Sequence, residues 1–412
     1  MKCRHCGTPL SLPLIDLGTA PPSNAYLSRE MLAQPEQWFP LRVLVCESCW
    51  LAQTEDFVGR EHLFDNDYAY FSSFSDTWLA HARHYVDAMV ERFDIGGDSM
   101  HVEIASNDGY LLQFTRERGI PCLGIEPTAS TAKASREKGI ETLEAFFGVD
   151  LAERLRAEGM QADLMTANNV LAHVPDIDDF VRGFALLLKP QGVATFEFPH
   201  LTRLIEESQF DTIYHEHYSY LSLTAVDGIF RHCGLEVFDV ERLQTHGGSL
   251  RVYAQPAGGR HARTTAVEAL LREEAVCGVT TPEYYASLQE RAEKIKNDLL
   301  AFLIGAKRDG KSVAAYGAAA KGNTLLNYAG VKPDLLPWVV DRNPAKQGKF
   351  LPGSRIPIVD EAVLRKEKPD YIIILPWNLS KEVGIQLDYV HEWNGGLVTM
   401  VPTMQVLERQ GG

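Results

Sequence analysis

The chain has 412 residues, 45% of them hydrophobic and 23% charged, with a formal net charge of -15 at pH 7. This length favours roughly two to three domains, and the composition is that of a globular protein rather than a disordered one. The acidic balance disfavours nucleic acid and anionic membranes as partners, and every apolar run is shorter than the ~18 residues of a membrane-spanning helix.

The first segment, from residue 1 to about 60, carries two CxxC pairs, Cys3 with Cys6 and Cys46 with Cys49. It is rich in turn signals and predicts a small, irregular module too short to be stable on apolar burial alone. Two such pairs are typical of a zinc site, and four thiolates leave no open position, so we expect a structural ion. The alternative is two unrelated cysteine pairs, and His5 could replace one ligand. No apolar core of a secretory signal is present at the N-terminus, which predicts a cytoplasmic protein.

From about residue 100 to 255, short apolar strands alternate with amphipathic helices, which predicts a parallel sheet covered by helices. The strand at 101–105 runs into the loop 106–109 and then a helix, an arrangement that presents backbone N–H groups to a ligand. The next strand ends at Glu126, which can accept hydrogen bonds from both hydroxyls of a ribose. The loop has a single glycine, Gly109, which disfavours the pyrophosphate of a nicotinamide cofactor.

A further strand at 162–167 leads to Asn168, and a Leu-Lys-Pro-Gln-Gly turn at 188–192 is predicted before the strand at 193–197. This order of features resembles class I S-adenosylmethionine-dependent methyltransferases. The resemblance implies S-adenosylmethionine as cofactor. The residues that it places at the cofactor are Glu103, Ala105, Asn107, Asp108, Gly109, Glu126 and Asn168.

The densest run of groups able to exchange protons is Tyr214-His215-Glu216-His217-Tyr218. Such a run is uncommon in a structural loop and indicates chemistry, although a solvated turn is the alternative. Neighbouring side chains of an extended strand point to opposite faces, so Glu216 and His217 can converge only if the chain turns between them.

After a helical stretch at about 264–306, strand and helix alternation restarts, with buried strands predicted at 312–316, 336–340, 371–375 and 396–401. These predict a second doubly wound domain. Its loop 317–323 lies between a strand and a helix, and Lys321 within it could meet phosphate. A tight turn in a duplicated half is the alternative.

Taken together, the chain resembles the zinc-containing sugar C-methyltransferases of deoxysugar biosynthesis over nearly its whole length. The motifs that carry the resemblance are the four cysteines, residues 67–71, residues 103–109, residues 168–173, residues 214–217 and residues 316–323. The family implies an α/β fold with a zinc-binding module at 1–70, a methyltransferase domain at 71–258 and a Rossmann-like C-terminal domain at 259–412. It also implies methylation at carbon 3 of a 4-keto-deoxysugar carried on dTDP or GDP, by a protein expected to be a monomer.

The same resemblance assigns roles to the polar residues. His217 is the expected base and Glu216 its partner or an alternative base, while Tyr68, His173 and Tyr214 donate hydrogen bonds to the ketone or enolate oxygen. Substrate-binding roles are expected for Lys321, Asn323 and His200. Two other functions stay open, a methyltransferase acting on RNA and a non-catalytic protein that binds sugar nucleotides.

Overall fold

The computed structural model describes residues 1–57 and 71–407, and their strands form three sheets. The strands are β1 (Leu12–Ala20), β2 (Phe39–Val45), β3 (Ala52–Thr54), β4 (His101–Ile104), β5 (Cys122–Ile125), β6 (Thr142–Leu143), β7 (Ala162–Asn168), β8 (Leu188–Pro199), β9 (Ser219–Tyr220), β10 (Leu235–Leu243), β11 (Ser249–Pro256), β12 (Val313–Tyr316), β13 (Val339–Val340), β14 (Ile358–Val359), β15 (Tyr371–Ile374), β16 (Gly396–Thr399) and β17 (Gln405–Leu407).

The helices pack against these sheets. They are α1 (Asp76–Phe93), α2 (Leu112–Glu117), α3 (Ala129–Glu137), α4 (Val149–Ala157), α5 (Ile177–Leu187), α6 (Leu201–Glu206), α7 (Leu223–His232), α8 (Thr265–Cys277), α9 (Leu288–Arg308), α10 (Ala320–Ala329), α11 (Ala362–Glu367) and α12 (Ser380–Gln386). None of the helices in the described ranges is both long enough and apolar enough to span a bilayer.

The middle sheet has seven strands in the order β10-β11-β8-β7-β4-β5-β6. β8, β7, β4, β5 and β6 pair in parallel, and β11 pairs antiparallel with both of its neighbours. Chain order runs β4-β5-β6 in one direction and β7-β8 in the other, so the topological switch point lies between β4 and β7. In open α/β sheets ligands bind at the carboxyl ends of the strands at such a point. The prediction of a Rossmann-like parallel sheet covered by helices is confirmed.

The segment at 188–192 differs from its prediction. It belongs to β8, but pairing with β7 jumps from Ala162↔Leu188 to Leu164↔Val193. The extra residues therefore form a bulge inside the strand rather than a turn before it.

The N-terminal segment is more regular than predicted. β1, β2 and β3 form an antiparallel sheet, and β9, more than 160 residues further along the chain, completes it beside β3. Register shifts interrupt the β1–β2 pairing, which hides the period-2 pattern by which a strand is recognised.

The C-terminal sheet has the order β14-β13-β12-β15-β16-β17, parallel throughout except for β17. The predicted helical stretch before it forms two helices, α8 and α9. Leu288, Ala292, Ile295 and Leu299 recur at helical spacing on α9 and are buried, which confirms its packing role.

Gly109 offers a test of the loop after β4. Its φ is +75°, and a Cβ there would lie 2.4 Å from Ile140 Cδ1 and 2.8 Å from Ser135 Oγ. Gly119 has φ +70° with no atom within 4 Å of a Cβ. Both Gly→Ala variants carry left-handed backbone strain, but only Gly109→Ala also overpacks, which costs about 1–3 kcal/mol more. Thermal unfolding should give the lower melting temperature for Gly109→Ala, and equal values would contradict this packing.

Candidate active site

The four cysteines of the two CxxC pairs converge. Their sulfur atoms all lie within 4.8 Å of one another. Cys3 Sγ is 3.5 Å from Cys49 Sγ, and Cys6 Sγ is 3.4 Å from Cys46 Sγ, close to the ~3.8 Å edge of a tetrahedron with Zn–S bonds of ~2.3 Å. A closed set of four soft thiolates fits a structural zinc ion. His5 is directed elsewhere, with Nδ1 2.6 Å from Asp178 Oδ1.

Arg4, between the first two cysteines, extends from the metal loop to two other segments. Its guanidinium donates to the carbonyl of Pro175 at 2.8 Å and to that of Thr54 at 2.9 Å. Thr54 in turn donates through Oγ1 to the carbonyl of His217 at 3.0 Å. The metal loop is thereby joined to the backbone on which His217 lies.

The loop after β4 is held by the carboxylate at the tip of β5. Glu126 Oε2 accepts from the backbone N–H of Asn107 at 2.9 Å, and Oε1 accepts from Thr128 N and Thr131 Oγ1, both at 3.0 Å. Ala105 and Asn107 have left-handed backbones, with φ of +53° and +49°. Left-handed alanine is rare, so the loop shape is imposed by its surroundings.

Unsatisfied polar atoms surround the switch point between β4 and β7. Both oxygens of Glu103 and both amide atoms of Asn168 are buried without a hydrogen bond of normal geometry to a described residue, although the Tyr110 hydroxyl interacts with both side chains. Burial raises the pKa of Glu103 well above its usual value. Buried groups of this kind need a partner, and a ligand with hydroxyl and amino groups supplies one.

The run 214–218 forms the turn that the convergence of Glu216 and His217 requires. The backbone N–H of His217 donates to the carbonyl of Tyr214 at 2.9 Å. The turn brings the Tyr214 hydroxyl to 2.8 Å from His217 Nε2, with the ring centroids 4.0 Å apart.

His217 is held in one tautomer. Its Nδ1 is 2.8 Å from the carbonyl of Thr212, which can only accept, so Nδ1 carries the proton and Nε2 keeps its lone pair. Burial lowers the pKa of His217 well below its usual value, and the nearby His173 acts in the same direction. The imidazole is therefore neutral at physiological pH and can accept a proton at Nε2.

His173 and Glu216 complete this cluster. The rings of His173 and His217 lie edge to face with centroids 4.6 Å apart, and His173 Nδ1 donates to the carbonyl of Glu216 at 2.8 Å. Glu216 is buried and its Oε1 accepts from Asn24 at 3.1 Å, while Oε2 has no partner in the described part of the chain. Burial raises the pKa of Glu216.

Lys321 reaches the same cluster from the C-terminal sheet. Its Nζ donates to Asn378 Oδ1 at 2.9 Å and lies 4.7 Å from the centroid of the Trp377 ring. Burial lowers the pKa of Lys321 to about 8, and the same cause raises the pKa of Asp211 to about 6. Trp377 Nε1 donates to Asp211 Oδ2 at 2.7 Å. This ammonium and this carboxylate lie beside the histidine cluster.

The other predicted residues have different positions. Asn323 is buried near the cluster, with Nδ2 3.4 Å from the carbonyl of Ser23. His200 is not brought to the cluster, because its Nε2 lies 2.7 Å from Glu274 Oε1 and its Nδ1 accepts from Thr202 Oγ1 at 2.9 Å. Tyr68 lies outside the described residues.

Family models match three consecutive parts of the chain: a zinc binding domain over residues 3–64, a methyltransferase domain over 78–240 and a C-methyltransferase C-terminal domain over 244–402. The C-methyltransferase NovU of Streptomyces niveus is 34% identical over 99% of this chain and 97% of its own length. The chain belongs to this C-methyltransferase family.

Two solved structures align with a part of the chain. The PH0226 protein of Pyrococcus horikoshii OT3 aligns with 46% of this C-methyltransferase and 95% of its own chain, at 13% identity and a TM-score of 0.38. An S-adenosylmethionine-dependent methyltransferase of Thermotoga maritima aligns with 46% and 97%, at 16% identity and a TM-score of 0.35. Scores this low carry no conclusion about function.

The C-methyltransferase is S-adenosylmethionine-dependent, and its four-cysteine cluster is a structural zinc site. The unsatisfied buried atoms at the switch point fit a cofactor rich in hydroxyl, amino and carboxylate groups. When bound, S-adenosylmethionine supplies an electrophilic methyl group.

Sequence patterns did not identify several residues of this site. Asn24, Asn169, Asp211, His246 and Trp377 lie on five separate segments and meet only through tertiary folding. The one available signal was the pair of glycines after His246, which marks a loop with an unusual backbone.

The zinc site predicts a difference between two cysteines. Cys46 is buried and its sulfur belongs to the cluster, whereas Cys277 is an exposed thiol outside it. Cys46→Ser should lower bound zinc well below one ion per chain and the melting temperature by at least about 5 °C, because folding and metal binding are coupled. Cys277→Ser should leave both unchanged. Full zinc content and native melting of Cys46→Ser would show that the cluster holds no structural ion.

Proposed function

We propose that this C-methyltransferase methylates carbon 3 of a 4-keto-deoxysugar carried on dTDP or GDP, through an enolate formed by its own side chains. The observation that supports this most directly is the buried, neutral His217, whose Nε2 lone pair lies beside the Tyr214 hydroxyl. Carbon becomes nucleophilic next to a ketone once a base removes its proton and donors stabilise the enolate oxygen. A neutral imidazole with a fixed tautomer meets the first requirement.

His217 Nε2 takes the proton from carbon 3. The electron pair of the broken C–H bond forms the C=C bond of the enolate, and the carbonyl pair moves to oxygen. As the enolate carbon bonds to the incoming methyl group, the carbonyl reforms. The bond from this methyl group to the sulfonium sulfur would break, and its electron pair would stay on sulfur, which would leave as a neutral thioether. The Thr212 carbonyl keeps Nδ1 protonated and stabilises the imidazolium that forms.

The rings of Tyr214 and His173 both contact the ring of His217, and Tyr214 donates to the ketone oxygen. Burial lowers the pKa of His173 to about 4, so its ring is neutral, and its one N–H, on Nδ1, already donates to the carbonyl of Glu216. His173, predicted as a donor, is therefore omitted from that role. Tyr214 changes partner from His217 Nε2 to that oxygen when the substrate arrives, which leaves Nε2 open for the proton. Tyr68 keeps its predicted role as a donor by resemblance alone.

Glu216 is the second candidate for the base. Its raised pKa brings the carboxyl nearer to the range of a useful base, and its Oε2 is buried without a partner in the described ranges. In the proposed mechanism His217 is the base, because its Nδ1 contact with the Thr212 carbonyl already fixes the imidazole for proton transfer. Glu216 acts as the partner of His217.

The residues that would hold the cofactor lie at the carboxyl ends of β4, β5 and β7. Glu126 accepts from the ribose, since a carboxylate with three hydrogen bonds still has acceptor capacity. Glu103 and Asn168 receive the amino and carboxylate groups of the methionine part. Loop residues Ala105, Asn107, Asp108 and Gly109 supply backbone contacts.

The nucleotide diphosphate extends toward α10. Lys321 and Asn323 lie on this helix. In the described part of the chain, the ammonium of Lys321 hydrogen-bonds only a neutral group, and the side-chain amide oxygen of Asn323 has no hydrogen-bond partner. His200 is omitted from the proposed substrate site because Glu274 and Thr202 hold its ring.

Mass spectrometry of reactions with S-adenosylmethionine and a panel of dTDP- and GDP-linked 4-keto-deoxysugars tests the proposal. Deuterium at carbon 3 should be lost from a product heavier by one carbon-bound methyl, whereas deuterium at carbon 5 should be kept. Loss from carbon 5 instead would move the methylation to the other carbon beside the ketone. No product from any sugar, with the cofactor bound, would favour another acceptor such as RNA or a binding role.

The base is identified by solvent exchange. With S-adenosylhomocysteine bound, wild-type protein should exchange the acidic sugar hydrogen in D₂O. His217→Ala should lower both exchange and methyl transfer by about 10²–10⁴-fold. Glu216→Gln should retain more exchange than His217→Ala. The reverse order would assign the base to Glu216, and full exchange in both variants would remove both residues from this role.

The lowered pKa of Lys321 predicts that methyl transfer becomes less efficient at alkaline pH. Its pKa of about 8 means that the free enzyme carries the ammonium below that pH and loses it above. Because kcat/KM reports ionisations of the free enzyme, kcat/KM for the sugar nucleotide should fall as pH rises through about 8. In Lys321→Arg the side chain stays charged, so its lower kcat/KM should be flat to pH 10. The same alkaline limb in both proteins would exclude Lys321 as its source.

A further inference from the structure

His246 lies in the loop that joins β10 to β11 at the carboxyl edge of the middle sheet. Three consecutive residues have positive φ there: His246 at +57°, Gly247 at +93° and Gly248 at +113°. A Cβ on Gly247 would lie 2.5 Å from the Trp377 ring. Left-handed histidine carries strain, and such strain persists where packing imposes it, often at functional sites.

The imidazole of His246 reaches over the end of β7, next to the switch point. Asn169, immediately after β7, donates from Nδ2 to His246 Nε2 at 3.2 Å and is itself left-handed, with φ +56°. The preceding residue is Asn168, whose buried amide atoms have no normal hydrogen bond to a described residue. The left-handed backbones of His246 and Asn169 therefore hold the His246 imidazole beside the switch point, where we expect the cofactor and the acceptor to meet.

The groups around His246 come from three further elements. Lys321 of α10, Glu197 of β8 and His81 of α1 act on it electrostatically, and the Trp78 ring meets it edge to face at 5.3 Å. Burial lowers the pKa of His246 to about 4. The ring is neutral at physiological pH, and since Nε2 accepts from Asn169, its proton is on Nδ1.

We propose that His246 binds the acceptor sugar, with Nδ1–H donating to a hexose oxygen beside the methylated carbon and Asn169 holding the ring in place. This assignment rests on the proposed function and adds a residue that determines how the sugar is oriented. His246 is a donor and not a second base. Its Nδ1 already carries a proton and its Nε2 accepts from Asn169, so neither ring nitrogen is open to take a proton.

Three substitutions separate a donor from a structural role. Asparagine tolerates a left-handed backbone and places an amide N–H close to the position of Nδ1, whereas glutamine places it further out. Glycine removes the side chain and the backbone strain together. His246→Asn should keep kcat/KM for the sugar nucleotide within about fivefold, while His246→Gln and His246→Gly should lose about 10- to 100-fold.

The readouts are kcat/KM for the acceptor, calorimetric affinity for S-adenosylmethionine and melting temperature, with exposed His84→Ala as the control. Cofactor affinity should stay within about twofold, and His246→Gly should melt no lower than wild type. Equal kcat/KM in wild type and His246→Gly overturns the assignment. If wild type itself neither binds nor methylates any 4-keto sugar nucleotide, the proposed function fails, and this assignment fails with it.

Discussion

Four thiolates that converge on one zinc ion fix the N-terminal segment, and the geometry of the candidate base depends on that anchor. The metal loop positions Arg4, whose guanidinium bonds the carbonyls of Pro175 and Thr54, and Thr54 bonds the carbonyl of His217. β9, which begins two residues after His217, extends the N-terminal sheet. His217 is not among the zinc ligands, but loss of the ion would release the backbone that orients it.

Burial gives the cluster its chemical character. It lowers the pKa of His173 to about 4 and that of His217 well below normal, and it raises the pKa of Glu216. In water His217 would be partly protonated near neutral pH and a poorer proton acceptor. Gathering these groups at a junction of three sheets costs solvation energy, which hydrogen bonds to backbone carbonyls partly offset.

Local patterns predicted the local parts of this structure. Continuous apolar runs identified β5, β7 and β15 because strands buried on both faces lack alternation, and CxxC spacing identified the zinc ligands. Long-range packing decided the rest. Three contacts join segments that are 74 to 168 residues apart in sequence: the pairing of β9 with β3, the contact of His200 with Glu274 on α8, and the hydrogen bond of Asn169 to His246. Nothing in a single-sequence pattern reports such contacts.

In both α/β halves a carboxylate at the tip of a strand accepts a hydrogen bond from a loop backbone N–H, but the other partners of the two loops differ. At the tip of β13, Asp341 Oδ2 accepts from the backbone N–H of Ala318 at 2.9 Å, as Glu126 accepts from Asn107 in the middle sheet. At the second loop, however, the chain supplies its own partners: the carbonyl of Ala318 accepts from Tyr26 at 2.6 Å and from Lys346 at 3.0 Å.

At the switch point of the middle sheet, buried polar atoms lack hydrogen bonds of normal geometry. At the corresponding loop of the C-terminal sheet, Tyr26 and Lys346 supply such hydrogen bonds. A second cofactor would have to displace Tyr26 and Lys346 from Ala318. In the proposed function the C-terminal loop therefore contributes to the substrate site through α10, which carries Lys321, and does not form a second cofactor site.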